Sequence, residues 1–268
     1  MIKKLIGFLF LTCFCIGYAE IQTATSLKPI QQEIADSPEK TIVLLDVGGT
    51  LLAYPDAVLH PDHETWKYEW FQKHCPMIAK EEKIAFDRII LGTLDKWKLL
   101  DPKWPEVIIQ AQGLGIKVAA FTKVALDPSI RGSRAQILRD LGIPFKDDLP
   151  TLANGDFYEY AQGVIETEHP AKGPVLKEIL SNLSERPEKI IFVDDRMKQI
   201  KSVDDACREL EIPCIAFHYV PHSSPPHLDE KIADYQLSAL VREGRWVSES
   251  EALLEMEKRE NACVPMER

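Results

Sequence analysis

The sequence predicts an α/β fold built on a doubly wound parallel sheet, with a small helical insertion and a β-hairpin. Three observations carry this. Short apolar runs without alternation recur along the chain, as strands buried on both faces require. Helical stretches separate them, which is the rhythm of a sheet covered by helices. The runs end in Asp46, Thr122 and Asp194-Asp195, polar residues at the strand ends where open α/β sheets place their chemistry.

The elements follow in order. Met1-Ile2-Lys3-Lys4 is a short basic start, and Leu5–Ala19 is an almost unbroken apolar run. That run is shorter than the roughly 20 residues a membrane-spanning helix needs. It closes with Gly17-Tyr18-Ala19, small residues at the two positions a signal peptidase reads. Residues 1–19 are therefore expected to be a secretory signal peptide, with Glu20 opening an exported, periplasmic or secreted chain. Residues 20–40, polar and containing Pro29 and Pro38, read as a tether. The strands are Thr41–Val47, Lys117–Thr122, Lys189–Asp195 and Pro213–Tyr219. The helices are Trp104–Gln112, Ser129–Leu141, Gly173–Leu183 and Gln199–Leu210, with Gly113, Gly115 and Gly142 as stops.

Two segments break the rhythm. Residues 54–100 carry His, Trp, Tyr and Lys at helical spacing and read as a helical insertion above the sheet edge. Gly155–His169 reads as a hairpin turning at Gln162-Gly163. The main domain is expected over residues 41–240. Beyond it, residues 241–268 form a C-terminal helical tail; from Leu228 the chain reads as two helices, the second opened by the capping box Ser248-Glu249-Ser250-Glu251.

Composition excludes several classes. The 268 residues hold 32 Lys+Arg against 42 Asp+Glu, a net charge of −10, which argues against nucleic acid as a partner. Once the signal is removed, no segment is long and apolar enough to span a bilayer. Six Cys are too few for a disulfide scaffold. Cys13 and Cys15 fall in the signal, Cys75 and Cys263 have no evident partner, and Cys207 and Cys214 read as buried thiols. There is no G-x-G-x-x-G after the first strand, so a nucleotide-binding dehydrogenase is excluded.

The strand ends suggest a chemistry. Carboxylates of Asp46 and of Asp194 or Asp195 suit a Mg2+ ion, a hard cation that wants oxygen ligands. Lys172, at a helix start, would neutralise a phosphoryl group together with that ion, leaving the Asp46 carboxylate to attack phosphorus. Thr122 and the N–H groups of the following helix start would cradle the phosphate oxygens. Such a site takes a phosphorylated small molecule or macromolecule.

The order Asp46…Thr122…Lys172…Asp194-Asp195 resembles the haloacid-dehalogenase-like (HAD-like) hydrolase superfamily over about residues 41–240. Ile191-Phe192-Val193-Asp194-Asp195-Arg196, Lys201-Ser202-Val203, Ala216-Phe217-His218-Tyr219 and Ile232-Ala233-Asp234-Tyr235-Gln236-Leu237 resemble an uncharacterised bacterial branch of it, a domain of unknown function. The resemblance implies a Mg2+-dependent phosphatase that works through an aspartyl-phosphate on Asp46. It also implies a backbone metal contact from Gly48. In those phosphatases the first motif is Asp-x-Asp-Gly-Thr, whereas this chain has Asp46-Val47-Gly48-Gly49-Thr50. Gly48 stands where the acid–base Asp belongs, and such help is worth on the order of 10²–10⁴ in rate. The alternative is an impaired module that binds a phosphorylated ligand or a protein partner. His60 and His63 are candidate substitute acids. The His218-Tyr219-Val220-Pro221-His222…His227 stretch reads as a Pro- and Ser-rich turn in preference to a zinc site. A phosphoacceptor receiver is excluded, because there the acid pair precedes the phosphoacceptor Asp.

Overall fold

In the computed structural model the unalternating run Thr41–Leu45 is strand β2, buried along its whole length. The structure describes residues 19–77, 85–86, 88–90, 97–124, 126, 128, 132–147, 149, 154–221 and 226–262. The expected signal peptide therefore lies outside the described residues, apart from Ala19, and so does Cys263. Among the described residues, no helix is long and apolar enough to cross a membrane.

The other sequence-predicted strands appear as β5 (Lys117–Lys123), β8 (Lys189–Asp194) and β9 (Cys214–Tyr219). With β1 (Ala19–Ala24), β6 (Glu159–Ala161) and β7 (Val164–Thr167) they make one seven-stranded sheet in the order β1-β9-β8-β2-β5-β7-β6. Every pairing is parallel except β6 with β7, the expected hairpin. Its turn residues Gln162 and Gly163 both have positive φ, as the tight primed turn requires. From β2 the chain first builds outward through β5 and β7. It then returns to the other side of β2 through β8 and β9, so the direction of winding reverses at β2.

Helices cover both faces. The helices α1 (Lys28–Ala35), α3 (Trp104–Gly113) and α4 (Ser133–Asp140) bury Ile30, Ile34, Trp104, Val107, Ile108, Ile137 and Leu138 on one face. The other face packs on α5 (Lys172–Asn182) and α6 (Met197–Glu209) through Val175, Leu176, Ile179, Ile200, Val203 and Cys207. This is the doubly wound α/β architecture the sequence predicts.

Two boundaries need correction. Residues 20–40 are not a tether: β1 lies parallel to β9, with Ile21 opposite Ala216, and α1 packs into the core through Ile30 and Ile34. Pro29 sits in the first turn of α1, where its missing N–H costs nothing. Nor is 241–268 a separate tail. The boundary at 240 cuts α7 (Glu230–Glu243), which is followed by α8 (Glu249–Ala262).

Both helices belong with the insertion. Between β3 (Leu52–Ala53) and β4 (Lys98–Leu99), an antiparallel pair, the chain makes α2 (Glu64–His74). Val58 and Trp70 of this insertion form one apolar cluster with Ala233, Leu237, Leu240 and Trp246. Trp70 Nε1 donates to Asp234 Oδ1 at 2.7 Å. The insertion buries its apolar side against the C-terminal helices.

Candidate functional site

Asp46 follows the last residue of the central strand β2, and its N–H still donates to Val193 O of β8 at 2.9 Å. Past Asp46 the chain turns back at once: Leu52 N–H donates to Val47 O at 2.8 Å and Gly49 N–H to Leu52 O at 2.8 Å. This turn leaves the Asp46 carboxylate at the carboxyl edge of the sheet, at the reversal of winding where such folds bind ligands.

Lys172 completes the centre. Its Nζ lies 2.5 Å from Asp46 Oδ1 and 2.7 Å from Asp194 Oδ2, and the ammonium is almost entirely buried. It stands 5.3 Å from the Phe121 ring centroid and 5.4 Å from that of Phe192, over a partly aromatic floor. Its backbone is held as firmly: Lys172 N–H donates to Gln199 Oε1 at 2.9 Å, and Gly173 N–H to Ser202 Oγ at 2.9 Å. A Cβ on Gly173 would lie 2.1 Å from Ser202 O, so only glycine lets α5 approach α6 this closely.

Asp194 ends β8 with both oxygens engaged, Oδ2 by Lys172 and Oδ1 by the Arg196 N–H at 2.8 Å. Asp195 is different. Its Oδ1 is buried with no hydrogen-bond partner. His218 of β9 donates its Nε2–H to Asp195 O at 2.9 Å and so fixes the backbone of that residue. Gly49, at φ +78°, passes so near that a Cβ there would lie 2.2 Å from Asp195 Oδ2.

Oxygens of Asp46, Asp194 and Asp195 all fall within 4.8 Å of one another, the one cluster of this kind among the described residues. The electrostatics are those of too much negative charge in a dry site. Burial pushes Asp46 up to about 6, and Asp194 adds to it while Lys172 opposes. Burial, then the charges of Asp46 and Asp194, push Asp195 up to about 8. Burial would depress Lys172, but the two carboxylates outweigh it and hold the ammonium charged. The orphaned Asp195 oxygen and the raised carboxylates fit a hard divalent cation with oxygen ligands.

The sequence-predicted residues divide clearly. Asp46, Lys172, Asp194 and Asp195 come together. Gly48 lies in the turn beside Asp46, bridged to Leu52. Thr122 is buried at the end of β5, on the strand beside β2, outside the hydrogen bonds that join Asp46, Lys172 and Asp194. His60 and His63 lie outside the hydrogen bonds that join Asp46, Lys172 and Asp194: His60 Nδ1 accepts from Asp62 N–H at 3.3 Å while its ring packs edge-on against Tyr54 with centroids 5.4 Å apart, and His63 Nε2 donates to Pro226 O at 2.9 Å. His222 lies outside the described residues.

Sequence reasoning missed Gln199, Ser202, His218 and Arg196 as supports of the site. A Gln on the buried side of α6 was the one available signal. Arg196 also reaches the insertion, with Nη2 at 2.8 Å from Glu64 Oε1.

The fold and this edge define a doubly wound, Rossmann-like α/β protein whose acid cluster and buried lysine meet at the switch point of its sheet. The chain belongs to the protein family of unknown function DUF2608, which matches residues 23–252. No curated protein matches it.

Proposed function

We propose that the protein is an exported Mg2+-dependent phosphohydrolase of the HAD-like kind, with Asp46 as its nucleophile. The observation that carries this reading is the Lys172 ammonium seated between Asp46 and Asp194, beside an Asp195 oxygen that has no partner. Asp46, Asp194 and Asp195, with the backbone of Gly48, would hold Mg2+, which when bound supplies charge neutralisation for the phosphoryl oxygens.

The rest is done by the chain. The Asp46 oxygen free of Lys172 attacks phosphorus as the bond to the leaving oxygen breaks. Lys172 keeps the carboxylate oriented and offsets the charge that arrives, which suits a reaction governed by positioning and electrostatics. Thr122 offers its hydroxyl to the phosphate. Water then cleaves the aspartyl-phosphate and regenerates Asp46.

Gly48 supports a second reading, an impaired module that binds a phosphorylated small molecule or macromolecule, or a protein partner. Assaying the purified protein against a panel of phosphoesters with Mg2+ separates the two. Turnover that Asp46→Asn abolishes supports the hydrolase, and tight phosphate binding without turnover supports the module. Export rests on the expected signal peptide: N-terminal sequencing of exported protein should start at Glu20, and an intact Met1 would contradict cleavage after Ala19.

A further inference from the structure

Gly48 lacks a side chain, but its space is taken. A Cβ built there would meet the Tyr54 hydroxyl at 2.9 Å and two carbons of the Tyr54 ring at 3.2 and 3.3 Å. Gly48 is not among the residues with positive φ, so its backbone does not demand glycine. The absence of a side chain is what admits the phenol. Tyr54 directly follows β3, whose Leu52 pairs with Leu99, so the root of the insertion fixes where the ring enters. The next residue, Gly49, passes against Asp195 Oδ2, so the phenol enters the turn that adjoins the acid cluster. His63 contacts Pro226, while His60, which accepts from Asp62 N–H, packs its ring edge-on against Tyr54 with centroids 5.4 Å apart.

We infer that Tyr54 is a catalytic residue: its hydroxyl stands in for the side chain missing at Gly48 and gives its proton to the leaving-group oxygen. This rests on the phosphohydrolase reading. The step balances. Asp46 forms a bond to phosphorus, the phosphorus–oxygen ester bond breaks, and the Tyr54 proton goes to the departing alkoxide, which leaves as the alcohol. The water that later attacks the aspartyl-phosphate returns a proton to the phenolate, and inorganic phosphate leaves.

The test compares the purified protein and Tyr54→Phe, with Mg2+, on two esters and on inorganic phosphate. Phenyl phosphate has a poor leaving group that needs a proton, whereas p-nitrophenyl phosphate has a good one that needs it less. Tyr54→Phe should lower kcat on phenyl phosphate at least about tenfold more than on p-nitrophenyl phosphate, within the range general acid catalysis supplies. Equal losses on both esters, or no loss, overturn the proposal.

Calorimetric binding of inorganic phosphate covers the case of no turnover. Binding that Tyr54→Phe weakens several-fold keeps the hydroxyl facing the phosphoryl site while the hydrolase reading falls. Phosphate binding that is absent, or unchanged in the variant, overturns the placement of Tyr54 itself.

Discussion

Trp246 donates its indole Nε1–H to Asp56 Oδ2 across 2.7 Å and ties the segment after α7 to the root of the insertion. The other oxygen of the same buried carboxylate accepts Glu249 N–H at 2.8 Å, and Ala57 N–H returns a bond to Glu249 Oε1 at 2.6 Å. Asp56→Ala strands two donors. A buried donor left unmade costs about 1–3 kcal/mol, so the variant should unfold at clearly lower urea concentration. An unchanged midpoint would show that this junction contributes nothing to stability.

Lys172 is the hinge of the site's electrostatics. Lys172→Met leaves the carboxylates of Asp46 and Asp194 facing one another without a cation. Removing one partner of a buried ion pair costs about 3–5 kcal/mol. The loss should be greater at high pH than at low pH, because protonation relieves the repulsion. Urea titrations at two pH values check this, and a loss independent of pH would contradict it.

The acid cluster sets the sign of the pH dependence. Asp46 and Asp195, at about 6 and about 8, both hold their protons more tightly folded than unfolded. Such a group stabilises the fold below its unfolded pKa, near 4, and that contribution is lost as pH rises through the folded value. The metal-free protein should therefore lose stability from about pH 4 to about pH 8.

Mg2+ competes with these protons. Its thermal stabilisation should be small near pH 5, larger near pH 8, and absent when both Asp194 and Asp195 are replaced by Asn. A Mg2+ response that survives the double replacement would put the ion elsewhere.

Gly48→Asp restores the acid at the price of a collision with Tyr54. In a Tyr54→Phe background the shortest contact is gone, and Gly48→Asp should then raise phosphoester turnover by up to ~10²–10⁴. With Tyr54 intact the gain should be smaller, because Asp and the phenol compete for one space. Equal gains in both backgrounds would mean that the two side chains do not meet.

Much of this was legible in the sequence because it is local. Apolar runs without alternation marked β2, β5, β8 and β9, and Gln162-Gly163 marked the hairpin turn. Asp46, Lys172 and Asp194-Asp195 stood out because strand ends and helix starts have a fixed place in an open α/β sheet. By contrast, β1 was hidden because Glu20-Ile21-Gln22-Thr23-Ala24 lies at the sheet edge and keeps polar side chains.

What the sequence alone determined is the order of the central strands β2, β5, β8 and β9 with the helices between them, and the acids and lysine at their ends, since periodicity and turn chemistry are properties of neighbouring residues. The tertiary structure alone decided what meets across long separations. It set Lys172 between Asp46 and Asp194, with Gln199 and Ser202 bracing it from α6, and it joined the insertion to α7 and α8 through Trp70, Asp234, Asp56 and Trp246. It also brought the Tyr54 hydroxyl into the space beside Gly48. None of these pairings has a local signature, because each exists only once two faces are packed and water is removed, and no spacing along the chain encodes that contact.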